Sequence, residues 1–177
     1  MEIYHEKPQD TEGRLPKELA VYDLLDELHI DYDRVDHHAL MTIAECGEVD
    51  ETLHMNICKN LFLCNSKKTQ FYLLLMPGDK KFVTKEVSKQ IGSPRLSFAN
   101  EAYMEEYLNI TPGAVSVLGL MNDTENHVQL LIDRDVLEEK FFGCHPCVNT
   151  SSLKMRTKDV LEKFLPHVHH DYIVVDL

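Results

Sequence analysis

The segment 143–150, which reads GCHPCVNT, concentrates chemically versatile side chains in a few residues. It combines a possible acid or base, His145, with two thiols in CxxC spacing, Cys144 and Cys147. A structural zinc site usually needs four ligands, and the chain has no second cysteine pair at that spacing. A redox CxxC normally opens a helix, whereas Pro146 here precedes extended sequence. The pattern therefore favours two small buried thiols over metal or redox chemistry.

Two further positions, Lys59 and the loop at Pro112 and Gly113, are candidates for binding a ligand. Lys59 lies just inside an apolar strand pattern, CKNLFLC, at residues 58–64. A lysine there most often extends its stem along the apolar surface and keeps its charge in water, and the alternative is a cation at the lip of a pocket. The loop at Pro112 and Gly113 is typical of a turn, and its glycine also allows backbone N–H groups close to a ligand.

The other histidines do not form a clear metal site. His37 and His38 are adjacent on extended chain and so point in different directions. His167, His169 and His170 are more typical of a solvated turn than of a metal-binding tail. The sequence contains no GxSxG, HExxH, Walker or GxGxxG motif, so the common hydrolase, metalloprotease and nucleotide-binding functions have no motif support.

The elements that must position these residues fit into one domain. The chain has 177 residues, of which 44% are hydrophobic, enough for a complete core. Acidic residues outnumber basic ones 30 to 18, so a general nucleic-acid coat is excluded, although local recognition of one nucleic-acid end is not. The middle of the chain is much less acidic than its ends because it holds Lys67, Lys68, Lys80, Lys81, Lys85, Lys89 and Arg95.

Cysteine usage and the first residues predict a cytoplasmic protein. The five cysteines are an odd number, and the opening MEIYHEKPQD does not read as a secretory signal. No apolar run approaches the roughly 18 residues that a membrane span needs. We therefore expect reduced thiols and no membrane partner.

Periodicity predicts a mixed α/β fold, with a mixed β-sheet and helices packed on it. Residues 1–14 have no apolar period and form a polar N-terminal arm, and residues 15–177 form the domain. Strands are predicted at 32–36, 58–64, 70–76, 128–132, 141–143 and 172–175, the second and third as a hairpin. Helices are predicted from Pro16, near 42–46, at 84–91 capped by Thr84, from Asn100, and at 157–165 capped by Thr157 and ended by Pro166.

Several of these segments, taken together, resemble the YbaK/prolyl-tRNA synthetase editing-domain family of aminoacyl-tRNA deacylases. They occur in the family's order and cover about residues 15–177. The matching parts are the first helix, DHHA at 36–39 with Thr42, KNLFL at 59–63, TPGAVS at 111–116 and HPCVNT at 145–150. The loop at 111–116 and the Asn-Thr at 149–150 are most similar to the free-standing Ala-tRNA(Pro) branch. His38 and Cys147 depart from the family's usual residues, which leaves the exact pocket size open.

The resemblance implies hydrolysis of the ester between an amino acid and the terminal adenosine of tRNA(Pro). The implied partners are the acceptor end of aminoacylated tRNA(Pro) and prolyl-tRNA synthetase, and neither a cofactor nor a metal is implied. The family has no side-chain nucleophile, and the terminal ribose hydroxyl and a water are assigned the attack.

The resemblance also assigns roles to residues of this chain. Lys59 would hold the aminoacyl-adenosine end by its charge, Gly113 would place N–H groups near the ester, and His145 would shape the amino-acid pocket. The implied substrate-binding residues are Asn60, Thr111, Pro112, Ala114 and Asn149, of which Asn149 would also hold the turn after His145. Discrimination would be by size, because a site that accepts alanine can exclude the larger proline.

Three functions are therefore open at the level of sequence. The first is an editing hydrolase for Ala-tRNA(Pro), or for tRNA carrying cysteine or another small residue. The second is a non-catalytic module of the same fold that binds tRNA ends or a synthetase. The third is a metal or redox protein built on Cys144 and Cys147.

Overall fold

The computed structural model describes residues 1–40 and 43–177, and it confirms the mixed α/β class. Within those residues, eight strands form two sheets and helices pack against them. The strands are β1 (Tyr32–Asp36), β2 (Cys58–Asn65), β3 (Phe71–Pro77), β4 (Leu96–Phe98), β5 (Val128–Asp133), β6 (Phe141–Cys144), β7 (Ser151–Arg156) and β8 (Tyr172–Val175). All six predicted strands are confirmed, whereas β4 and β7 were not predicted.

The helices connect the strands and cover the sheets. They are α1 (Pro16–Glu27), α2 (Gly47–Leu53), α3 (Thr84–Ile91), α4 (Glu101–Leu108), α5 (Arg134–Glu138), α6 (Thr157–Asp159) and α7 (Leu165–His167). A π-helical turn, Val160–Phe164, joins α6 to α7, and 3-10 turns occur at Ile43–Cys46 and Val117–Asn122. The predicted turn near 42–46 is confirmed from residue 43 onward, and Thr42 lies outside the described residues. In the described part of the chain, no helix combines the length and apolarity needed to cross a bilayer.

The larger sheet has the strand order β4-β2-β3-β5-β8 and is mixed. β2 and β3 form the predicted antiparallel hairpin, whereas β3, β5 and β8 run parallel. Among the described residues, β4 pairs only with residues 63–65 of β2. The first half of β2, which carries Lys59 and Asn60, therefore has an edge that β4 does not cover.

The smaller sheet, β1-β7-β6, is antiparallel throughout. An isolated parallel bridge between Ile57 and Gly143 joins the chain just before β2 to strand β6. This bridge brings the 143–150 segment next to the start of β2. Residues that are more than 80 positions apart in the sequence thus meet where the two sheets touch.

The core lies on both faces of the larger sheet. Alternate residues of β3 point to opposite faces, so Leu73 and Leu75 join the larger apolar cluster while Leu74 and Met76 join a smaller one under α3. Full burial of each such side chain stabilises the fold by roughly 1.5–3 kcal/mol. This double burial explains why β3 reads as a continuous apolar run.

The polar segment 1–14 is tied to β1 by hydrogen bonds and ion pairs. Tyr4 and Arg34 exchange backbone hydrogen bonds of 2.8 and 2.7 Å, and Arg14 reaches Asp36 at 2.9 Å. Partial burial by itself raises the pKa of Asp36, but hydrogen bonds from Arg34, Arg14 and Ser151 outweigh it and lower that pKa to about 2. The segment is therefore anchored to the first strand.

The predicted helix ends are partly confirmed. Asn100 caps α4 by accepting from the Tyr103 N–H at 3.2 Å, and Gly92 ends α3 in the left-handed region at φ 66°. The capping roles of Thr84 and Thr157 are wrong, because each is the first residue inside its helix. Thr157 instead donates its hydroxyl to the Glu139 carbonyl at 2.6 Å. Pro166 does not end the last helix, because the preceding π turn continues into α7.

Candidate active site

A cavity of about 350 Å³ lies at the uncovered edge of β2, where the two sheets meet. This volume is within the range of small-molecule sites. Its lining residues are Leu40, Cys46, Met55, Ile57, Cys58, Lys59, Asn60, Leu61, Gly113, Val115, Gly143, Cys144, His145 and Ser152. The fold thus brings Lys59, Asn60, Gly113 and His145, all predicted from the sequence, to one cavity.

Lys59 and Asn60 bring a cation and an amide to this cavity from consecutive positions of β2. The Lys59 ammonium donates to the Lys80 carbonyl in the loop after β3. None of the lining residues is a carboxylate, so the charge of Lys59 is not neutralised inside the cavity. The Asn60 Nδ2 donates to the Cys58 carbonyl at 3.3 Å, which identifies Oδ1 as the other end of the amide.

The Asn60 Oδ1 is an unsatisfied acceptor. It is buried and has no hydrogen-bond partner among residues 1–40 and 43–177. A buried polar atom left without a partner costs about 1–3 kcal/mol, and the described residues hold only three such side-chain atoms, on Asn60, Tyr32 and Asp50. This oxygen is therefore an acceptor with unused capacity, on a residue that lines the cavity.

His145 supplies a second acceptor. Its Nδ1 lies 2.9 Å from the Ser151 carbonyl, which can only accept, so Nδ1 carries the proton and Nε2 has the free lone pair. Burial lowers the pKa of His145, and the nearby His37, whose ring centroid is 6.3 Å away, lowers it further. His145 is therefore neutral at pH 7, and the described residues provide no partner for its Nε2.

His37 and Ser152 form a second hydrogen-bonded pair beside His145. The His37 Nδ1 donates to the His38 carbonyl at 2.7 Å, so its Nε2 accepts from the Ser152 hydroxyl at 2.8 Å. Ser152 lines the cavity but was not predicted, because β7 was not recognised as a strand. The alternation of β7 is the signal that would have placed Ser152 on the cavity side.

The loop at 111–114 is a type II turn. The Ala114 N–H donates to the Thr111 carbonyl at 3.2 Å, Pro112 occupies the second position, and Gly113 has φ 88°. Glycine adopts this positive φ without strain. Gly113 and Val115 line the cavity, and their N–H groups have no partner in the described part of the chain. The turn therefore leaves backbone donors available to a ligand.

Three cysteine thiols line the cavity, those of Cys46, Cys58 and Cys144, and all of them are buried and outside any disulfide. Burial raises the pKa of Cys58 to about 12 and also raises those of Cys144 and Cys46. At neutral pH these thiols are protonated and are weak nucleophiles. Cys147 is also buried, as predicted, and does not line the cavity. Among the described residues, no group of three or more potential ligands is arranged to hold a metal ion.

Met55 forms a flexible wall of the cavity because Gly143 leaves room for it. A Cβ at position 143 would lie 2.2 Å from the Met55 Cε and 2.3 Å from its Sδ. Such distances are far inside van der Waals contact, so the thioether occupies the space that any larger residue at 143 would need. Neither residue was predicted to contribute to the site.

Four predicted residues lie near the cavity without lining it. Thr111 and Pro112 are exposed on the turn, and Ala114 is buried behind it. The Asn149 Nδ2 donates to the Leu40 carbonyl at 3.1 Å, and the Leu40 N–H returns a bond to the Asn149 carbonyl. Their roles in substrate binding stay predictions, as do those of the lining residues.

Comparisons with known proteins agree with this arrangement. The sequence profile of the aminoacyl-tRNA editing domain matches residues 37–163. The chain is 34% identical to the prolyl-tRNA editing protein ProX of Acetoanaerobium sticklandii, over 89% of this chain and 96% of that protein. It is 32% identical to the prolyl-tRNA synthetase associated domain-containing protein 1 of Xenopus laevis, over 92% of this chain and 97% of that protein.

A solved structure of a candidate trans-editing enzyme for prolyl-tRNA synthetase shares the fold, with a TM-score of 0.68 at 16% identity. The alignment covers 93% of this chain and 99% of that structure. The match to the family profile extends over most of the chain and includes the strand of Lys59, the turn of Gly113 and the loop of His145. The chain therefore belongs to the aminoacyl-tRNA editing domain family.

Proposed function

We propose that this protein is a trans-editing deacylase that hydrolyses the aminoacyl ester of mischarged tRNA(Pro), with Ala-tRNA(Pro) as its main substrate. The similarity to a prolyl-tRNA editing protein supports the tRNA. The cavity supports the chemistry, because it is small, contains one unneutralised cation and has donors and acceptors without partners.

The observation that carries the proposal is the pair of unsatisfied acceptors, Asn60 Oδ1 and His145 Nε2, in the cavity that Lys59 also lines. An aminoacyl ester has an α-ammonium with three donors and a carbonyl and ribose oxygens that accept. The two acceptors fit the ammonium, and the Lys59 charge fits the oxygen-rich end. A neutral His145 is needed for this, because an imidazolium would repel the ammonium.

The reaction proceeds by attack of water on the ester carbonyl. The water oxygen bonds to the carbonyl carbon, the negative charge moves to the carbonyl oxygen, and the ester bond to the ribose then breaks. The ribose oxygen leaves with the proton that the water gives up, and the neighbouring ribose hydroxyl assists the transfer. The Gly113 and Val115 N–H groups are suited to stabilise the oxyanion, and preorganised donors of this kind typically contribute about 10²–10³-fold. The protonated thiols take no part.

Selectivity rests on the size of the cavity. His145, Met55 and Leu40 fill the walls around the acyl group, so a methyl side chain fits better than a pyrrolidine ring. Binding energy alone separates residues that differ by one methylene only about 10-fold to 200-fold, so steric exclusion of proline is the effective device. Cysteine and serine are close to alanine in volume and are the nearest competing substrates.

The proposal extends to partners and location. The acceptor end of aminoacylated tRNA(Pro) is the substrate partner, and prolyl-tRNA synthetase is the second candidate. The relative from Xenopus laevis that is named for association with that synthetase supports the second partner. Both act in translation, which supports a cytoplasmic location.

The test is a deacylation panel with purified protein. Single-turnover hydrolysis is measured for tRNA(Pro) charged with alanine, serine, cysteine or proline, and for alanine on its cognate tRNA as the matched control. We expect the fastest hydrolysis for Ala-tRNA(Pro) and none above background for Pro-tRNA(Pro). Binding of all these tRNAs without hydrolysis of any would instead identify a non-catalytic module.

A further inference from the structure

An aromatic ring lies exposed beside the candidate active site. Phe98 ends β4 directly opposite Leu63 of β2 and is 62% exposed. The Phe82 ring packs against it edge-on, with centroids 5.6 Å apart, and is itself partly buried against the smaller core cluster. One side of the Phe98 ring is thus held by the core while the ring remains largely open to water.

Phe98 is close to the cavity through the geometry of β2. Residues 59, 61 and 63 share one face of this strand, and Phe98 lies on the same face opposite residue 63. Lys59 and Leu61 line the cavity, and Leu61 lies two positions, or about 7 Å along β2, from Leu63, the residue opposite Phe98. The ring therefore lies on the α3 face of the sheet, the face of Lys59 and Leu61, at the end of the edge that β4 leaves uncovered.

Basic residues flank this ring. Lys81 precedes Phe82 and is exposed, and the described residues provide no acidic partner for it. Lys85 lies three residues before Ser88, whose Oγ accepts from the Leu96 N–H at 3.3 Å, so this side of α3 faces β4. The acidic residue of the same turn, Glu86, lies instead on the side of Gln90.

That opposite side of α3 faces the C-terminus, because the Gln90 Nε2 donates to the Asp176 carbonyl at 2.6 Å. Lys80 adds no free charge to the ring's surroundings, since Asp133 and Asp135 hold its ammonium at 2.9 and 2.7 Å. The surface around Phe98 is therefore basic through Lys81 and Lys85, in a chain whose net charge is −12.

The other side of the cavity is acidic. A larger cavity of about 930 Å³ shares Met55, Ile57 and Cys58 with the candidate site. Its five carboxylates outnumber its two lysines, Lys80 and Lys140, and are those of Asp50, Asp79, Asp135, Glu138 and Glu139. A phosphate backbone leaving the candidate site is repelled on this side and attracted towards Lys81 and Lys85.

We propose that Phe98, supported by Phe82, is a stacking platform for an unpaired base of the tRNA 3′ end, with Lys81 and Lys85 contacting its phosphates. The proposal rests on the proposed function, because the terminal adenosine must occupy the cavity for the preceding base to reach Phe98. An aromatic face with nearby lysines is the usual arrangement for binding single-stranded nucleic acid. Stacking tolerates different base sequences, so this platform would bind the 3′ end of the tRNA while the cavity selects the amino acid.

The test compares two substrates and two variants. Hydrolysis of Ala-tRNA(Pro) and of 2′(3′)-O-alanyl-adenosine, which lacks the preceding nucleotides, is measured for wild type, Phe98→Ala and Val83→Ala. Val83 is also an exposed apolar residue, at 44%, but is not part of the platform. We expect Phe98→Ala to lower the ratio of kcat/KM for Ala-tRNA(Pro) to kcat/KM for alanyl-adenosine on the order of 10-fold to 100-fold. Val83→Ala should leave this ratio unchanged.

A binding experiment separates failure of the platform from failure of the proposed function. Fluorescence anisotropy with an RNA oligonucleotide ending in CCA needs no hydrolysis, and Phe98→Ala should weaken its binding by a similar factor, with Phe98→Trp restoring it. Equal binding by wild type and Phe98→Ala overturns the platform whatever the panel of charged tRNAs shows. A change of oligomeric state on sedimentation of Phe98→Ala, without a change in RNA binding, also overturns it and identifies a contact between copies of this chain.

Discussion

The polar groups at the two ends of the larger sheet differ in whether their atoms have hydrogen-bond partners. At the end where β2 begins, Asn60 Oδ1 and His145 Nε2 have no partner within the described chain. At the other end, where β5 begins, Asp123 and His170 form a buried pair at 3.0 Å in which every partner is present. Both ends contain a histidine, but only the first end lines the cavity that we assign to substrate.

The pair at the second end is fully hydrogen-bonded. Asp123 accepts from the backbone N–H groups of His127 and Val128 at 3.0 and 2.8 Å. The two ring nitrogens of His170 face Asp123 and the Val168 carbonyl, both acceptors, so both nitrogens carry protons. Burial lowers the pKa of His170, but the bonds to Asp123 and Val168 outweigh it and raise that pKa. The comparison teaches that the satisfied pair contributes to holding the fold together, whereas the unsatisfied acceptors of the first end belong to residues that line a cavity.

The largest expected effect concerns the cation of the first end. Lys59→Ala should reduce single-turnover hydrolysis of Ala-tRNA(Pro) by about 10²–10³-fold, because the charge that we place beside the ester is lost. The fold should persist, since Lys59 is only half-buried and its removal leaves no core cavity. Lys59→Arg should restore little activity, because a planar guanidinium does not replace a compact ammonium.

The control for Lys59 is Lys67→Ala, which changes an exposed lysine in the turn after β2. Thermal melts of all three variants show whether folding is preserved. Near-wild-type rates for Lys59→Ala would return this residue to the role of a surface lysine with its charge in solvent.

The second prediction concerns a substitution that breaks the Asp123–His170 pair at the other end of the sheet. Asp123→Asn should reduce the free energy of unfolding by about 3 kcal/mol, because a buried imidazolium loses its counter-charge. Hydrolysis per folded molecule should be preserved, since Asp123 lies at the end of the sheet opposite the cavity. Urea denaturation measures the loss, with Glu125→Gln in the same loop as the exposed control. An unchanged stability would show that the pair contributes nothing to the fold.

The third prediction tests whether the unsatisfied Asn60 Oδ1 serves to bind a ligand. Asn60→Leu removes the unsatisfied oxygen and keeps a similar volume, so the free energy of unfolding should stay the same or rise. Hydrolysis of Ala-tRNA(Pro) should fall by about 10-fold, the loss expected for one hydrogen bond to a charged group. A variant that is both less stable and fully active would contradict the comparison, since Asn60 would then be a structural residue.

The smallest expected effect is a pH dependence of the free energy of unfolding, which has opposite signs for His170 at one end and His145 at the other. The raised pKa of His170 means that its contribution to stability is complete below its unfolded pKa of about 6.5 and is lost as pH rises through the folded pKa. The lowered pKa of His145 means that its neutral form stabilises the fold above about 6.5, and that this contribution is lost as pH falls towards the folded pKa.

The measurement is the difference in the free energy of unfolding between wild type and His170→Gln from pH 5 to 8. The other histidines are common to both proteins, so the difference isolates His170. The difference should shrink as pH rises above about 6.5. A difference that grows with pH would mean that His170 is buried in its neutral form.

Most of the fold was predictable because its signals are local. The alternation in β2 and the apolar run of β3 identified the hairpin, and Asn100 identified the start of α4. The two wrong caps, Thr84 and Thr157, show the limit of such signals, because a threonine is equally suitable just inside a helix whose end is fixed by tertiary contacts. The short strands β4 and β7 were missed because their pairing depends on β2 and β1, which lie far away in the sequence.

The site was predictable only in part. Lys59 has a local signal because its charge interrupts an apolar strand pattern. Gly113 has one because the Pro-Gly pair indicates a turn. The alternation of β7 places Ser152 on one face of a strand, but neither Ser152 nor Met55 carries a local signal of a cavity, since a serine in a strand and a methionine before one are ordinary. They become lining residues through the bridge between Ile57 and Gly143, which no periodicity reveals.

The contact between Met55 and Gly143 has an evolutionary consequence. The wall of the cavity is set by a thioether lying on a residue without a side chain, and neither belongs to the polar set of Lys59, Asn60 and His145. One methyl group gained at 143 has to displace the thioether, and a shorter residue at 55 removes it from the wall. A glycine codon becomes an alanine codon by a single nucleotide change. Under the proposed function, a single substitution at either position therefore alters the acyl group that the cavity accepts while Lys59, Asn60 and His145 stay in place.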